Sequence, residues 1–195
     1  RGFALDRMSA CTLVFEGARQ EVTAQQKSTY ALARRHGGLA GGSSNGQRGY
    51  QLTFGIAYIR DWIMNHWLLG ESFETSVPWS QALPLCENVK RRIHEECAKR
   101  DIAGTPFVTC RVTQLYTTGV CIYFYFAFYF KGLSNPAETY AEIEQAARDE
   151  ILRSGGSLSH HHGIGKIRQR FLPRISSPGV STWAREIKAA VDPTN

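Results

Sequence analysis

Three consecutive histidines, His160, His161 and His162, stand in a glycine-rich segment that reads GGSLSHHHGIGK over residues 155–166. Histidine is the side chain best suited to moving protons near neutral pH, and flanking glycines let the backbone come close to a ligand. A zinc site is the obvious alternative, but adjacent side chains on a regular strand or helix point in different directions and cannot all reach one metal. We therefore predict a proton-transfer site with no metal; a surface loop rich in histidine is the alternative that stays open.

A second chemical feature is the aromatic segment CIYFYFAFYF at residues 121–130, which we predict to be a strand. Sorted by the two-residue period of a strand, four phenylalanines and one isoleucine share one face. The opposite face carries Cys121, Tyr123 and every other hydroxyl of the segment. A wall that is apolar but bears hydroxyl groups suits a cavity that needs a few polar contacts. The alternative is a strand packed on both sides, with its phenols bonded to backbone groups.

Arg60 interrupts an otherwise apolar and aromatic segment at residues 50–69. An isolated buried charge is costly, so this guanidinium must be paired or must face a ligand. An ion pair with the adjacent Asp61 satisfies the first condition and a substrate anion the second, and the sequence alone does not separate them.

The elements that position these residues follow from periodicity and from stop signals such as the Gly37-Gly38 pair. The N-terminal third is predicted to hold a buried strand at residues 8–15, a helix at 18–36, a glycine-rich loop at 37–49 and a buried helix at 50–69.

The remainder is predicted to alternate helices and strands around the aromatic segment. The expected elements are a short strand or turn at residues 70–76, a helix whose buried stripe is Cys86, Val89, Ile93 and Cys97, a strand at 107–116, a helix at 136–153 capped by Asn135, and a short helix at 181–190. This order predicts an α+β fold with an antiparallel sheet on one side and helices on the other.

Length, charge and cysteine usage narrow the class of protein. At 195 residues the chain suffices for one generous domain or two small ones. A net charge of +6 favours anionic partners, but no run of like charges marks a nucleic-acid tail, so we expect no nucleic acid.

Five cysteines without CxxC spacing argue against a zinc ribbon or a disulfide framework and favour a reducing compartment. No signal peptide is visible, and no apolar run approaches the roughly 20 residues of a membrane span.

Several short motifs together resemble one enzyme family. RGFALDRM, NGQRGY, AYIRDW, GESFETS, TCRVTQ, CIYFYFAF, GGSLSHHHGIGK and VDPTN occur in this order in the sequence. In order and spacing they are similar to motifs of the alkyldihydroxyacetonephosphate synthases, flavoenzymes of ether-lipid synthesis within the vanillyl-alcohol-oxidase (PCMH-type) FAD superfamily. The resemblance implies that FAD is the cofactor. It also implies that the acyl chain of acyl-dihydroxyacetone phosphate is exchanged for a long-chain fatty alcohol without net redox change, with the flavin N5 as a covalent handle.

The resemblance also implies roles for individual residues. Tyr123 matches the general acid/base, with His160, His161 and His162 around it, because a phenol and imidazoles together can pass a proton. The three histidines and Gly163 are expected to contact the flavin.

Four further residues are implied at the substrate site. Arg60 matches a family arginine there, and a guanidinium suits a bidentate phosphate contact. Arg111 and Glu74 are expected to line the site, and Cys121 is expected to be a neighbour of Tyr123 rather than a nucleophile.

The family's organisation implies a cap, or substrate-binding, domain at residues 1–153 and a segment at residues 154–195 that contributes to the flavin site. The FAD-binding domain is expected to lie N-terminal to Arg1, so that this chain alone would be inactive. A homodimer, peripheral membrane association and a location on the lumenal side of the peroxisome, or of the glycosome in a kinetoplastid, are also implied.

Two other functions stay open. One is an FAD-dependent D-2-hydroxy-acid dehydrogenase or oxidase of the same superfamily, in which the histidines would remove a proton beside a flavin. The other is a non-catalytic basic module that binds phospholipid or nucleic acid; its binding would be sensitive to salt and would survive mutation of Tyr123 and His162.

Overall fold

A three-stranded antiparallel sheet with two helices on one face forms the centre of the fold. Its strands are β1 (Leu68–Pro78), β2 (Phe107–Leu115) and β3 (Gly119–Tyr129), in the order β1-β3-β2. The aromatic segment thus takes the central position, where a strand rich in β-prone residues pairs along both edges. The predicted α+β class is confirmed.

The structure is a computed structural model that describes residue 4 and residues 8–194. It divides into two units, Arg1–Asp61 and Trp62–Asn195. Most of the RGFALDRM motif lies outside the described residues. The predicted boundary between a cap and a flavin-facing segment at residue 153 is a functional division, and it stays a prediction.

Among the described residues of the N-terminal unit, the regular structure consists of two helices, the second of which continues to Met64. The predicted first helix is confirmed as α1 (Arg19–Arg35), and α2 (Ser43–Met64) begins inside the predicted glycine-rich loop. The loop prediction was therefore wrong beyond residue 42. Glycine lowers helix stability by only about 1 kcal/mol per residue relative to alanine, and the first two turns of α2 contain two glycines, Gly46 and Gly49.

Two predictions of burial in this part of the chain were also wrong. Residues 8–15 take no regular structure and are largely exposed, because a strand needs a partner for its backbone groups and no described strand pairs with this segment. Helix α2 has no buried residue, and its Phe54 and Tyr58 are 68% and 79% exposed. An apolar helix is buried only where another surface covers it, and the described residues provide none over α2.

The core lies between the sheet and the helices α3 (Trp79–Lys99) and α4 (Pro136–Arg153). The predicted stripe on α3 is confirmed, with Val89, Ile93 and Cys97 buried and Cys86 partly buried.

Helix α4 begins and ends where its signals predict. The Asn135 side chain accepts a hydrogen bond from the backbone N–H of Glu138 at 3.3 Å. The ring of Tyr140 on α4 stacks on that of Phe126 on β3 at 4.1 Å between centroids, which fixes the helix against the apolar face of the central strand.

After α4 the chain continues through the histidine segment into three short helical turns and a longer helix. The turns are α5 (Gly165–Arg168), a 3-10 turn (Gln169–Phe171) and α6 (Leu172–Ile175), and the longer helix is α7 (Pro178–Val191). The predicted last helix is thus confirmed and begins three residues early, at Pro178, where Ser177 caps it. No helix among the described residues is both long and apolar enough to cross a bilayer.

Candidate active site

One row of side chains crosses the sheet on the face that α3 and α4 leave uncovered. In the strand register Glu74 of β1 lies opposite Tyr123 of β3, and Arg111 of β2 lies opposite Tyr123 on the other side. Directly opposed residues of an antiparallel pair project from the same face. The two-face prediction for the aromatic strand is confirmed, because the face with Tyr123 is not the core, while Phe124 and Phe126 are fully buried on the other.

The hydroxyl of Tyr123 contacts two imidazole rings. Its Oη lies 2.6 Å from Nε2 of His161 and 2.9 Å from Nε2 of His162. Nδ1 of His161 in turn lies 3.0 Å from Nδ1 of His160. These distances are those of hydrogen bonds, so all four predicted catalytic residues belong to one connected chain.

The loop that carries the histidines is attached to the edge strand β1. The backbone N–H of Ser157 donates to the carbonyl of Ser76 at 2.8 Å, and the Thr75 hydroxyl donates to the carbonyl of Ser157 at 2.6 Å. The backbone N–H of Ser76 donates to the Ser157 hydroxyl at 2.9 Å. Gly156 allows this close approach, since a Cβ there would lie within 2.8 Å of three side chains.

Glu74 lies beneath the loop and holds it from inside. Its Oε1 accepts hydrogen bonds from the Ser159 hydroxyl (2.6 Å) and from the backbone N–H groups of His161 (3.3 Å) and His162 (3.1 Å). Its Oε2 accepts one from the backbone N–H of His160 at 2.7 Å. Consecutive N–H groups that converge on an anion form a nest, and here the anion is the protein's own carboxylate.

The charge of Glu74 is stabilised by these contacts. Burial alone would raise its pKa, but the hydrogen bond from Ser159 and those from the three backbone N–H groups lower it to about 2. The side chain is completely inaccessible. The prediction that Glu74 lines the substrate site is not supported by this geometry, because a carboxylate closed off by its own loop offers no surface to a ligand.

Arg148 supports the same loop from helix α4. It is 1% exposed, donates from Nη1 to the carbonyl of Leu158 at 3.0 Å and pairs through Nη2 with Glu144 at 2.5 Å. Its guanidinium carbon also lies 5.2 Å from the ring centre of Phe73. The loop is therefore held by buried ionic groups at two neighbouring points.

The surroundings shift the pKa values of Tyr123 and His162 in opposite directions. Burial raises the pKa of Tyr123, and the charge of Glu74 raises it further. Burial lowers the pKa of His162, and the neighbouring His161, Arg168 and Arg148 lower it further against the opposing effect of Glu74. At neutral pH the hydroxyl thus keeps its proton while the neighbouring imidazole is free to accept one. Pairs of groups driven apart in this way are typical of acid–base sites.

Arg111 adds a positive charge beside the phenols. Its guanidinium carbon lies 5.9 Å from the ring centre of Tyr123 and 5.3 Å from that of Tyr125. These distances fit a cation–π contact. Arg111 is exposed, so it lies at the site as predicted and is free to meet an anion there; a contact with substrate stays a prediction.

Cys121 is buried two residues before Tyr123 on β3, and burial raises the pKa of its thiol. This fits the predicted neighbour better than a nucleophile, which needs a thiolate.

Donor atoms of Glu74, Cys121, His160 and His161 lie within 4.8 Å of one another, which is close enough to share a metal ion. The same carboxylate already accepts four hydrogen bonds, so a hydrogen-bonded network accounts for its position.

Arg60 belongs to the N-terminal unit, where its Nε lies 3.5 Å from a carboxylate oxygen of Asp61. Both side chains are well exposed, so the ion pair that the sequence allowed is present at the surface and is a weak one. A role for Arg60 in substrate binding stays a prediction.

Sequence reasoning missed the residues that hold the loop, namely Ser157, Ser159 and Arg148. Only Arg148 left a signal, because it directly follows Ala147 in the buried stripe of α4, where a charge requires a partner. The serines carry no such signal, since their partners lie more than 80 residues away in the sequence.

The chain as a whole is similar to known FAD-linked proteins. The family model described as FAD linked oxidases, C-terminal domain, matches residues 1–195. A Caenorhabditis elegans protein named alkyldihydroxyacetonephosphate synthase is 48% identical over 195 residues, which is 100% of this chain and 33% of that protein. Proteins of the same name from Dictyostelium discoideum and Trypanosoma brucei brucei are 26% and 25% identical over 99% and 100% of this chain, and 31% of each is covered.

The chain spans about a third of the length of these curated relatives. Among solved structures, one titled as an alkyldihydroxyacetonephosphate synthase aligns with a TM-score of 0.64 over 92% of this chain and 29% of its own, at 23% identity. This similarity supports the α+β fold.

Proposed function

The chain belongs to the family of FAD-linked oxidases, C-terminal domain, and on this premise we propose that it forms the acid–base part of an alkyldihydroxyacetonephosphate synthase. The proposed reaction exchanges the acyl chain of acyl-dihydroxyacetone phosphate for a long-chain fatty alcohol. The products are alkyl-dihydroxyacetone phosphate and a fatty acid, a step of ether-lipid biosynthesis without net redox change.

The contact of Tyr123 with two imidazoles is the observation that carries this proposal. The exchange requires that the incoming alcohol lose a proton as its oxygen bonds to carbon. A phenol that can donate its own proton to His162 can at the same time accept the proton that the alcohol loses. The three curated relatives named above share the synthase name, so the D-2-hydroxy-acid dehydrogenase considered from sequence is not favoured.

FAD is the cofactor of this family. His161, His162 and Gly163 are exposed on one loop, and a Cβ at Gly163 would meet nothing within 4 Å. We expect these residues, with His160 beside them, to contact the flavin. When bound, FAD would supply a nucleophilic ring nitrogen at this site.

Phosphate binding is assigned to arginine, whose guanidinium matches a phosphate with two parallel hydrogen bonds. Arg111 is supported by its exposed position beside Tyr123. Arg60 is supported only by the match to the family motif.

The test uses the full-length protein with FAD bound, palmitoyl-dihydroxyacetone phosphate and labelled hexadecanol. We expect labelled alkyl ether from the wild type and a loss of roughly 10²- to 10⁴-fold in the Tyr123→Phe variant, since positioned acid–base groups contribute about that much. Equal rates would assign the proton to the histidines. No ether from flavin-loaded wild type, with flavin reduction by a D-2-hydroxy acid instead, would refute the synthase proposal.

The exposed apolar side chains of α2 support peripheral association with a membrane, as does the net charge of +6. Sedimentation with anionic phospholipid vesicles tests this, with Phe54→Ser and Tyr58→Ser in one variant expected to stay in the supernatant. If that variant sediments as the wild type does, α2 is not the contact.

Two further proposals rest on the resemblance alone. The first is a homodimer, which analytical ultracentrifugation of the full-length protein tests. The second is a location on the lumenal side of the peroxisome, or of the glycosome in a kinetoplastid, which protease protection in isolated organelles tests.

A further inference from the structure

The hydrogen-bond chain at the site has two different ends. One end is His160, which lines an open cleft of about 570 Å³ together with Tyr116 and Ser157. The other end is His162, whose Nδ1 lies 3.7 Å from Oε1 of the fully buried Glu74. The first end therefore borders the cleft, whereas a fixed negative charge lies beside the second end.

We infer that Glu74 is a positioning residue that fixes which nitrogen of His162 carries the hydrogen and thereby sets the direction of the whole chain. This inference rests on the proposed function, because it concerns the same acid–base site. A separation of 3.7 Å is too long for a hydrogen bond. It is short enough that a lone pair on Nδ1 would be repelled by the carboxylate and an N–H there would be attracted.

The other hydrogens follow from this one assignment. With the hydrogen on Nδ1, Nε2 of His162 is a lone pair and must accept from the Tyr123 hydroxyl at 2.9 Å. The phenol oxygen is then free to accept from Nε2–H of His161 at 2.6 Å. His161 has a lone pair left on Nδ1 and accepts from Nδ1–H of His160 at 3.0 Å. Every contact then has one donor and one acceptor.

The chain therefore moves protons in one direction, toward His162. When Tyr123 takes a proton from the alcohol, the bond between its oxygen and its original hydrogen breaks as that hydrogen bonds to Nε2 of His162. The imidazolium that forms lies beside the carboxylate of Glu74, which stabilises it. The opposite tautomer of His162 would present an N–H to Tyr123 and could not accept a proton.

The first test reads the hydrogens directly in the full-length, flavin-bound protein. Ring nitrogens with and without hydrogen differ strongly in ¹⁵N chemical shift, so histidine-labelled protein shows each tautomer; signals are assigned from His160→Gln, His161→Gln and His162→Gln variants. We expect hydrogen on Nδ1 of His162, on Nε2 of His161 and on Nδ1 of His160. Hydrogen on Nε2 of His162 in the wild type would overturn the inference, and this readout does not depend on ether formation.

The second test separates the charge of Glu74 from its packing. Glu74→Gln removes the charge at nearly the same size and also weakens the hydrogen bonds that hold the loop, whereas Glu74→Asp keeps the charge on a shorter side chain, so the two variants are read together. We expect His162 to populate both tautomers in Glu74→Gln and to keep hydrogen on Nδ1 in Glu74→Asp. The matched control is Glu96→Gln, the same change at a buried carboxylate of α3 that pairs only with basic residues; the His162 signal should not change there.

Kinetics then distinguish positioning from a structural effect. We expect Glu74→Gln to lower kcat with KM unchanged, within the roughly 10²- to 10⁴-fold that acid–base groups contribute, and to lower it little further in the Tyr123→Phe background. Full additivity of the two substitutions would contradict the inference, because residues that act through one another are not additive. If the wild type makes no ether, the proposed function fails while the tautomer test still decides the role of Glu74.

Discussion

The buried carboxylate of Glu74 gives a prediction that can be worked out from the structure. Its pKa falls from an ordinary value of 4.5 to about 2. At about 1.4 kcal/mol per pH unit this corresponds to about 3 kcal/mol in favour of the ionised form. The side chain has no accessible surface, so solvent does not screen this stabilisation. Because the four donors belong to Ser159 and to the backbone of the histidines, the energy acts on the loop itself.

We therefore expect Glu74→Gln to open the loop locally. The loss of about 3 kcal/mol corresponds to amide exchange on the order of 100-fold faster at residues 160–162. Hydrogen exchange of the full-length protein, read by mass spectrometry on a peptide that covers these residues, measures it. The same peptide in the Glu96→Gln variant should exchange as in the wild type. Exchange in Glu74→Gln within a few-fold of the wild type would refute the claim that the carboxylate holds the loop.

The same interaction predicts a dependence on pH with a definite sign. The pKa of Glu74 is lower in the folded than in the unfolded chain, so its contribution is complete above about 4.5 and is lost as the pH falls toward about 2. Protection of residues 160–162, corrected for the intrinsic exchange rate, should fall across this window in the wild type. The Glu74→Gln variant should lack this step. A wild-type profile that is flat between these values would contradict the assignment.

Three further predictions concern packing and reactivity. Gly156→Ala should destabilise the protein by about 1–3 kcal/mol in urea unfolding, because the new Cβ meets three side chains at 2.7–2.8 Å. Arg148→Met should cost about 3–5 kcal/mol, because it removes a fully buried guanidinium from its ion pair with Glu144 and from the carbonyl of Leu158. Arg153→Met should change stability by less than about 1 kcal/mol, because that arginine is 62% exposed; equal effects would contradict the burial argument. Cys11 should react with iodoacetamide in the native protein while Cys97 should not, since Cys97 is buried and burial raises the pKa of its thiol to about 11. Peptide mass spectrometry measures the labelling of each cysteine, and labelling of Cys97 in the native protein would contradict the packing described here.

The parts of the fold that could be predicted are those whose signals are local. Helix α4 begins and ends at the predicted residues because Asn135 and Pro136 specify its start within a few positions. The two faces of β3 follow from a period of two that runs through ten consecutive residues. Residues 8–15 have a similar apolar composition and form no strand, because composition does not supply a partner for the backbone.

The residues that hold the site could not be predicted in the same way. Glu74 lies in the polar segment GESFETS, and its partners at residues 159–162 follow it by 85 to 88 positions. No periodicity or spacing relates such distant residues. The sequence placed Glu74 at the site but did not show that it faces the histidine loop, because a motif marks position and does not show which direction a side chain faces.

The nest around Glu74 also explains why three adjacent histidines can act together. On a regular strand or helix their rings would diverge, which is the argument against a shared metal. Here three consecutive N–H groups converge on one carboxylate, which requires an irregular backbone and leaves the rings of His161 and His162 both within hydrogen-bonding distance of Tyr123. The backbone therefore brings the histidine rings together, and the rings of His161 and His162 both face the hydroxyl of Tyr123. An anion inside the loop serves this arrangement better than a cation would, because a metal bound by Glu74 would draw the carboxylate away from the N–H groups that shape the loop.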